Sequence, residues 1–375
     1  TKNNRKIAIN KIIILALGIL VIWFGVNVFA NRKKPTNNPA EKDSTAVEYQ
    51  TLLTAIQAQF IEAQNYLIAD KRDEALLALQ ETQKLIEEIP DSTEEQRSVK
   101  REFSRKIATQ FLLAQGVNLL VPNLITETSG MSPDQIILKN SKIYTMNRVD
   151  NTIFSVPLDT KTLDKITATA ESVGSIEKII DHTAGSIIFY QSLDGLAEFD
   201  VAKNALKSIE WQRTWDGALQ AGDIYQNKLY IITPSNTIQK YTRSITGYTQ
   251  ETKWLNEPQN QELAHTVDMA VDGDIWTLGN NGAITKFFKG VRENFTAAIT
   301  PPLKNPTRLF TDLDLKYLYI LDSGTNRVVI LNKETGTTAT QFTAQEFVEL
   351  KDFAVNESER TIYLLDKNGI FEVKF

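Results

Sequence analysis

The chain has 375 residues, 42% hydrophobic and 23% charged, with 17 Gly, 11 Pro, two His, no Cys and a net charge of −5. Those numbers exclude collagen-like, low-complexity and globally disordered chains, and with them disulfide scaffolds, iron–sulfur clusters, thiolate zinc sites and Cys nucleophiles. Residues 1–34 hold seven bases and no acid, so the remainder carries −12; an acidic body lacks the basic footprint that nucleic-acid binding needs.

The sequence opens on Thr1 rather than Met. That fits a trimmed start, or the C-terminal part of a longer polypeptide whose upstream domain holds an activity. Residues 1–11 form a basic end that is expected to stay in the cytoplasm. Residues 12–30 then run for 19 positions without a charge. As a helix they reach about 28 Å, close to the roughly 30 Å of a bilayer core. Bases flank both ends, and the reading is a single membrane span that exports the C-terminal remainder of the chain. A cleaved signal peptide is the competing reading, with Val28-Phe29-Ala30 as a loose small-x-small site. Residues 31–42, with Pro35 and Pro39, read as a short polar linker.

Residues 43–116 turn helical and form a spacer. Leu53, Ile56, Phe60, Ala63 and Leu67 alternate by three and four, which places them on one stripe. Asp70 or Asp73 is a candidate cap for a second helix, with Leu76, Leu79, Ile86 and Ile89 on its apolar side and Pro90 as its stop. Ser92 followed by Glu95 reads as a capping box for a third helix. There Val99, Phe103, Ile107 and Phe111 recur every four residues. Three such helices with short turns suggest a small antiparallel layer. Ala63-x-x-Tyr66 and Ala75-x-x-x-Leu79 resemble part of a tetratricopeptide helix pair. A stalk, a dimerising coiled coil and a peptide groove are the roles open to such a layer.

Residues 117–375 carry a repeat. Tyr144, Phe189, Tyr230, Trp276, Tyr319 and Tyr363 lie 45, 41, 46, 43 and 44 residues apart, each inside a short aliphatic run. A polar turn and a second apolar strand come after each run. Six copies of about 44 residues, rich in β-branched and aromatic side chains, predict a mainly β chain folded as a six-bladed β-propeller. One blade cannot bury both of its faces, so blades pack round an axis until the ring closes. The recurring aromatics are then filler between blades. The last copy offers only three strands before the chain ends, and residues 117–125 (VNLLVPNLI) have no other partner. They are expected to supply the missing outer strand, with Pro122 at an edge or bulge.

Residues 318–331 (LYILDSGTNRVVIL) resemble an NHL repeat: an aliphatic–Tyr strand, Asp-Ser-Gly, Asn-Arg, then a second strand. Asp322, Asn326 and Arg327 are expected to brace that hairpin. A membrane span followed by such a propeller is similar to the sensor region of bacterial transmembrane Ser/Thr kinases and related phosphatase-like proteins. In those proteins an enzyme domain precedes the span.

No phosphate-binding glycine loop, zinc-protease motif or nucleophile elbow occurs. Asp268, Asp272, Asp274, Asp312, Asp314 and Asp352 recur near strand starts, either as turn residues or as oxygen ligands for a cation at a channel. The leading reading needs no cofactor and no catalysis: a membrane-anchored binding, sensor or scaffold protein whose propeller face takes a protein, peptide or cell-wall ligand. Trp211, Trp215 and Trp254, between the strand runs, are the candidate ligand-face residues. The alternative is a cation-dependent propeller hydrolase or lyase.

Overall fold

The computed structural model describes residues 40–147, 149–166, 169–171, 173–182, 185–191, 195–256 and 261–375. The predicted span at residues 12–30, its flanks and most of the linker lie outside them. No described helix is long and apolar enough to cross a membrane. The chain divides into two compact units, Thr1–Leu119 and Leu120–Phe375.

The first unit holds three helices, α1 (Ala40–Ile68), α2 (Arg72–Glu87) and α3 (Glu94–Ala114). Their apolar stripes meet: Ile56, Phe60 and Ala63 of α1, Ala75, Leu79 and Ile86 of α2, and Val99, Phe103 and Ile107 of α3 form one buried cluster. Each large side chain there gains about 1.5–3 kcal/mol from leaving water. The caps differ from the sequence reading. Asp70 sits in the turn with a left-handed φ of 58°, Lys71 holds the N-cap position of α2, and Asp73 lies inside its first turn. The capping box of α3 is one residue later than expected. Thr93 Oγ1 accepts from Gln96 N at 3.2 Å, and Gln96 Oε1 accepts from Thr93 N at 3.1 Å. Ser92–Glu95 and Thr93–Gln96 both satisfy the motif, and the helix takes the second register.

The second unit is mainly strand and turn, with two short 3-10 turns at Gln261–Leu263 and Ser323–Thr325. Most of its strands fall into successive antiparallel units of four, whose innermost members are Ile136–Lys139, Ile176–His182, Ala221–Tyr225, Thr266–Val271, Pro306–Phe310 and Leu350–Asn356. These six strands neighbour one another in chain order, and the last lies beside the first. A closed circuit of radiating antiparallel sheets is a β-propeller. The repeating aromatics Tyr144, Phe189, Tyr230, Trp276, Tyr319 and Tyr363 are all buried. Tyr144 and Phe189 share one cluster across the first and second sheets, which is the filler role expected of them.

The sixth sheet takes its outer strand from the start of the unit. Asn123–Glu127 pairs antiparallel with Gly369–Lys374, Asn123 opposite Glu372 and Glu127 opposite Gly369. The single strand expected over residues 117–125 is instead two, Asn118–Leu120 and Asn123–Glu127, with Pro122 in the break. Proline has no N–H to give a ladder, so the break falls there.

The second and third sheets also fuse at their outer strands. Glu210 and Trp211 pair parallel with Gly247 and Tyr248. Glu210 N donates to Thr246 O at 2.9 Å and Gln212 N to Tyr248 O at 3.1 Å. A Cβ on Gly247 would overlap the Glu210 carbonyl, so only glycine permits this approach.

Candidate functional site

In an antiparallel four-strand unit, the segments leading to the next innermost strand emerge at the same end as the turns between second and third strands. Trp211, Trp215, Trp254 and the 322–327 hairpin all lie at that end of the ring. It is therefore the end on which a ligand would meet several sheets at once.

The structure brings two of the three tryptophans together. Trp211 and Trp215 meet edge to face, ring centroids 5.5 Å apart. Between them in sequence, Arg213 lays its guanidinium over both rings, 5.3 Å from Trp211 and 4.4 Å from Trp215. Arg213 Nη1 also donates to Gly217 O at 3.0 Å. Behind the stack, Trp215 Nε1 donates to the Tyr241 hydroxyl at 2.7 Å, which donates to Glu251 Oε2 at 2.9 Å. Burial, aided by the Glu251 charge, holds the Tyr241 phenol well above its ordinary pKa. Thr214 closes the brace through its N–H and hydroxyl, each 2.8 Å from Glu251. Trp211 and Trp215 remain half-buried, so parts of both indoles face solvent. Trp254 is elsewhere: it packs edge to face on Tyr230, 6.3 Å away, among Ala221 and Phe287 between the third and fourth sheets.

The hairpin network is structural. Arg327 and Asp322 are both fully buried and pair through Nε and Oδ2 at 3.1 Å. Every remaining arm of the guanidinium is spent: Nη1 donates to Gln341 Oε1 at 2.9 Å, and Nη2 to the carbonyls of Pro301 and Pro302 at 2.7 and 2.8 Å. Asp322 Oδ1 accepts from the N–H groups of Lys304 and Asn305 at 3.1 and 2.9 Å. Burial lowers the Arg327 pKa, and the Asp322 carboxylate opposes the fall. Asn326, left-handed at φ 48°, reaches the next sheet instead, donating to Val348 O at 3.1 Å and accepting from Leu350 N at 2.9 Å.

A third cluster lies on the innermost strands; the sequence reading offered its carboxylates, Asp268 and Asp352, and missed its cations, Lys178 and Arg308. Asp268 on the fourth sheet meets Lys178 from the second at 3.3 Å and Arg308 from the fifth at 3.0 Å. Arg308 Nε also meets Asp352 of the sixth sheet at 3.1 Å. Asp268 and Asp352 are thus ion-pair members on innermost strands rather than turn residues. Asp272 and Asp312 do serve turns: Asp274 N donates to Asp272 Oδ1 at 3.1 Å, and Leu313 N to Asp312 Oδ1 at 2.6 Å. Asp272 and Asp274 are further tied to Lys333 at 2.6 Å and Lys286 at 2.9 Å. Among the described residues, no three His, Asp or Glu side chains converge so as to hold a metal ion. His265 is exposed, and its carbonyl accepts from Asn280 N at 2.9 Å.

No family model and no curated protein matches this chain. Solved structures do. The WD40 β-propeller domain of Doa1 aligns at a TM-score of 0.43 and 10% identity, over 68% of this chain and 87% of that one. BamB from Moraxella catarrhalis aligns at 0.36 and 13%, over 64% and 69%. A chain of a nidogen/laminin complex aligns at 0.45 and 15%, over 59% and 84%. At these identities the likeness concerns the fold alone.

Proposed function

We propose that this chain is a binding or scaffold protein, a six-bladed propeller held to a membrane by residues 12–30, whose loop-bearing end takes a protein, peptide or cell-wall ligand. The Trp211–Arg213–Trp215 stack is the observation that carries the reading. Aromatic and Arg side chains gathered on a rim, with Trp215 hydrogen-bonded from behind to Tyr241, are the composition of binding hot spots. They lose little freedom on contact, because Tyr241, Thr214 and Glu251 already fix Trp215. The chemistry of the rim supports binding rather than catalysis. Export, and with it a sensor role, rests on the order of span and propeller and on the NHL-like hairpin at residues 318–331.

The test is a binding screen of the chain on a sensor surface against soluble peptidoglycan fragments and a displayed peptide library. Binding by one of the two classes is expected. Trp215→Ala should weaken that binding by roughly thirtyfold, the loss typical of a hot-spot residue at about 2 kcal/mol. Binding that Trp215→Ala and Arg213→Ala both leave unchanged would place the ligand elsewhere and overturn the assignment.

A further inference from the structure

Neighbouring sheets share a joint on the outer wall of the ring. The chain at the end of one sheet's fourth strand runs parallel to the start of the fourth strand of the next sheet. Thr169–Glu171, beyond the fourth strand of the first sheet, pairs in parallel with the second sheet, Thr169 opposite Ala205. Glu210 and Trp211 pair in the same way with Gly247 and Tyr248 on the third. Asn256 N donates to Gly290 O at 2.9 Å, just ahead of Val291–Glu293 on the fourth. Ala298 N donates to Gly336 O at 2.8 Å and Ala298 bridges Thr337 in parallel, just ahead of Thr338–Ala344 on the fifth. Four joints thus carry one kind of main-chain clasp.

The clasping segments also share a side-chain pattern. Trp211 turns into the apolar seam between the second and third sheets, Leu255 into that between the third and fourth, and Ile299 into that between the fourth and fifth. Gln212, Asn256 and Thr300, each next in sequence, are exposed.

The joint between the sixth and first sheets departs from this pattern. Its clasp would come from residues 128–133, which follow the sixth sheet's outer strand Asn123–Glu127. They turn away instead. Thr128 N donates to Asn368 O at 3.3 Å and Met131 N to Thr128 O at 3.1 Å, with Gly130 left-handed at φ 80°. Asp164–Ile166 is the edge strand of the first sheet. Leu163 O, the counterpart of Thr246 O and Gly290 O in the clasped joints, accepts no main-chain N–H among the described residues. Lys161 and Glu372 tie the joint by an ion pair at 3.1 Å. Leu158 and Leu163 are only partly buried against the apolar cluster of this seam, and Asp164 and Lys165 are exposed.

We propose that residues 163–166, on the outer edge of the first sheet, take an extended segment of a partner protein as an added parallel strand. The four clasped joints show what fits there: an N–H aimed at Leu163 O, an apolar side chain laid on Leu158 and Leu163, and an exposed polar residue after it. Main-chain bonds of this kind supply affinity, and the pocket for the alternate side chain supplies specificity. An edge strand of three residues that carries Asp164 and Lys165 is too short and too charged to pair with a second copy. The inference stands without any ligand at the Trp211–Arg213–Trp215 stack.

The chain has no cysteine, so disulfide trapping reads the edge directly. The full chain carries Lys165→Cys or, for comparison, Arg292→Cys on the fourth sheet, where the start of the strand is already clasped. Both side chains are exposed, so both variants keep the fold. The probe is the peptide Thr-Lys-Trp-Leu-Asn-Cys, which copies residues 252–256 of the clasp on the fourth sheet and ends in the reporting thiol. In a thiol–disulfide buffer, Lys165→Cys should trap more peptide than Arg292→Cys. N-methylation of the peptide's Asn removes the N–H meant for Leu163 O and should cut the trapping about tenfold, the weight of one hydrogen bond. Attachment through the thiol or the apolar side chains alone would not respond to the methyl group. Equal trapping by the two variants, or a loss of less than about threefold on N-methylation, overturns the proposal. A disulfide between two Lys165→Cys chains in place of the peptide gives the edge to a second copy and overturns it as well.

Discussion

Arg327→Ala is expected to cost the chain about 3–5 kcal/mol, the loss typical when one partner of a buried ion pair is removed. The size reflects the groups that stay behind. Asp322 is fully buried, so without Arg327 its charge sits in the interior with only N–H and hydroxyl donors. The carbonyls of Pro301 and Pro302 and the Gln341 amide oxygen lose their donor in the same step. Arg327→Lys should recover only part of the loss. An ammonium cannot reach four acceptors from one planar fork. The double variant Asp322→Asn/Arg327→Met should be more stable than Arg327→Ala, because it leaves no unpaired charge. Urea unfolding measures all three. A loss below about 1 kcal/mol for Arg327→Ala would mean that this hairpin does not brace the fifth sheet.

Gly247→Ala should act on the fold and the rim together. The new methyl has no room against the Glu210 main chain, and overpacking of this kind costs about 1–3 kcal/mol or more. The clash is relieved only by parting the outer strands of the second and third sheets. Trp211 sits on that pairing, opposite Tyr248. The stack on Arg213 should loosen, and tryptophan emission should shift to the red as the indoles meet water. Ligand binding at the rim should weaken with it, although residue 247 touches no part of the stack's exposed surface. Unchanged melting and unchanged emission would show that the strand fusion holds nothing in place.

The architecture was readable because a propeller writes its period into the sequence. Six aromatics at about 44-residue spacing mark the middle of each sheet, and each is buried as a wide filler must be. Arg327 was readable for a different reason. A guanidinium between two apolar strands needs a carboxylate, and Asp322 stands five residues away.

The channel cluster was not readable in the same way. Lys178, Asp223, Asp268, Arg308 and Asp352 recur 45, 45, 40 and 44 residues apart. Their charges alternate without rule, so the period disappears in a search for one residue type. Reading the third position of the last five innermost strands as a column would have exposed it. The pairing of Lys178 with Asp268 skips a sheet and depends on the narrowness of the channel, which no local pattern records. Trp254 was grouped with Trp211 and Trp215 because all three lie between strand runs. A shared position in the repeat places side chains on the same end of the ring and leaves them a sheet apart.

A rigid rim requires a closed ring, and the sixth sheet is completed by a strand pairing across about 250 residues of chain. The chain has no cysteine, so a pair placed at Asn123 and Glu372 reports on that pairing alone. In the double variant Asn123→Cys/Glu372→Cys, mild oxidation of the folded chain should form an intrachain disulfide nearly completely. The melting temperature should then rise, since a cross-link over so long a loop removes about 4 kcal/mol or more of unfolded-state entropy. A disulfide that forms only after denaturation, or between chains, would show that Asn123–Glu127 does not close the ring.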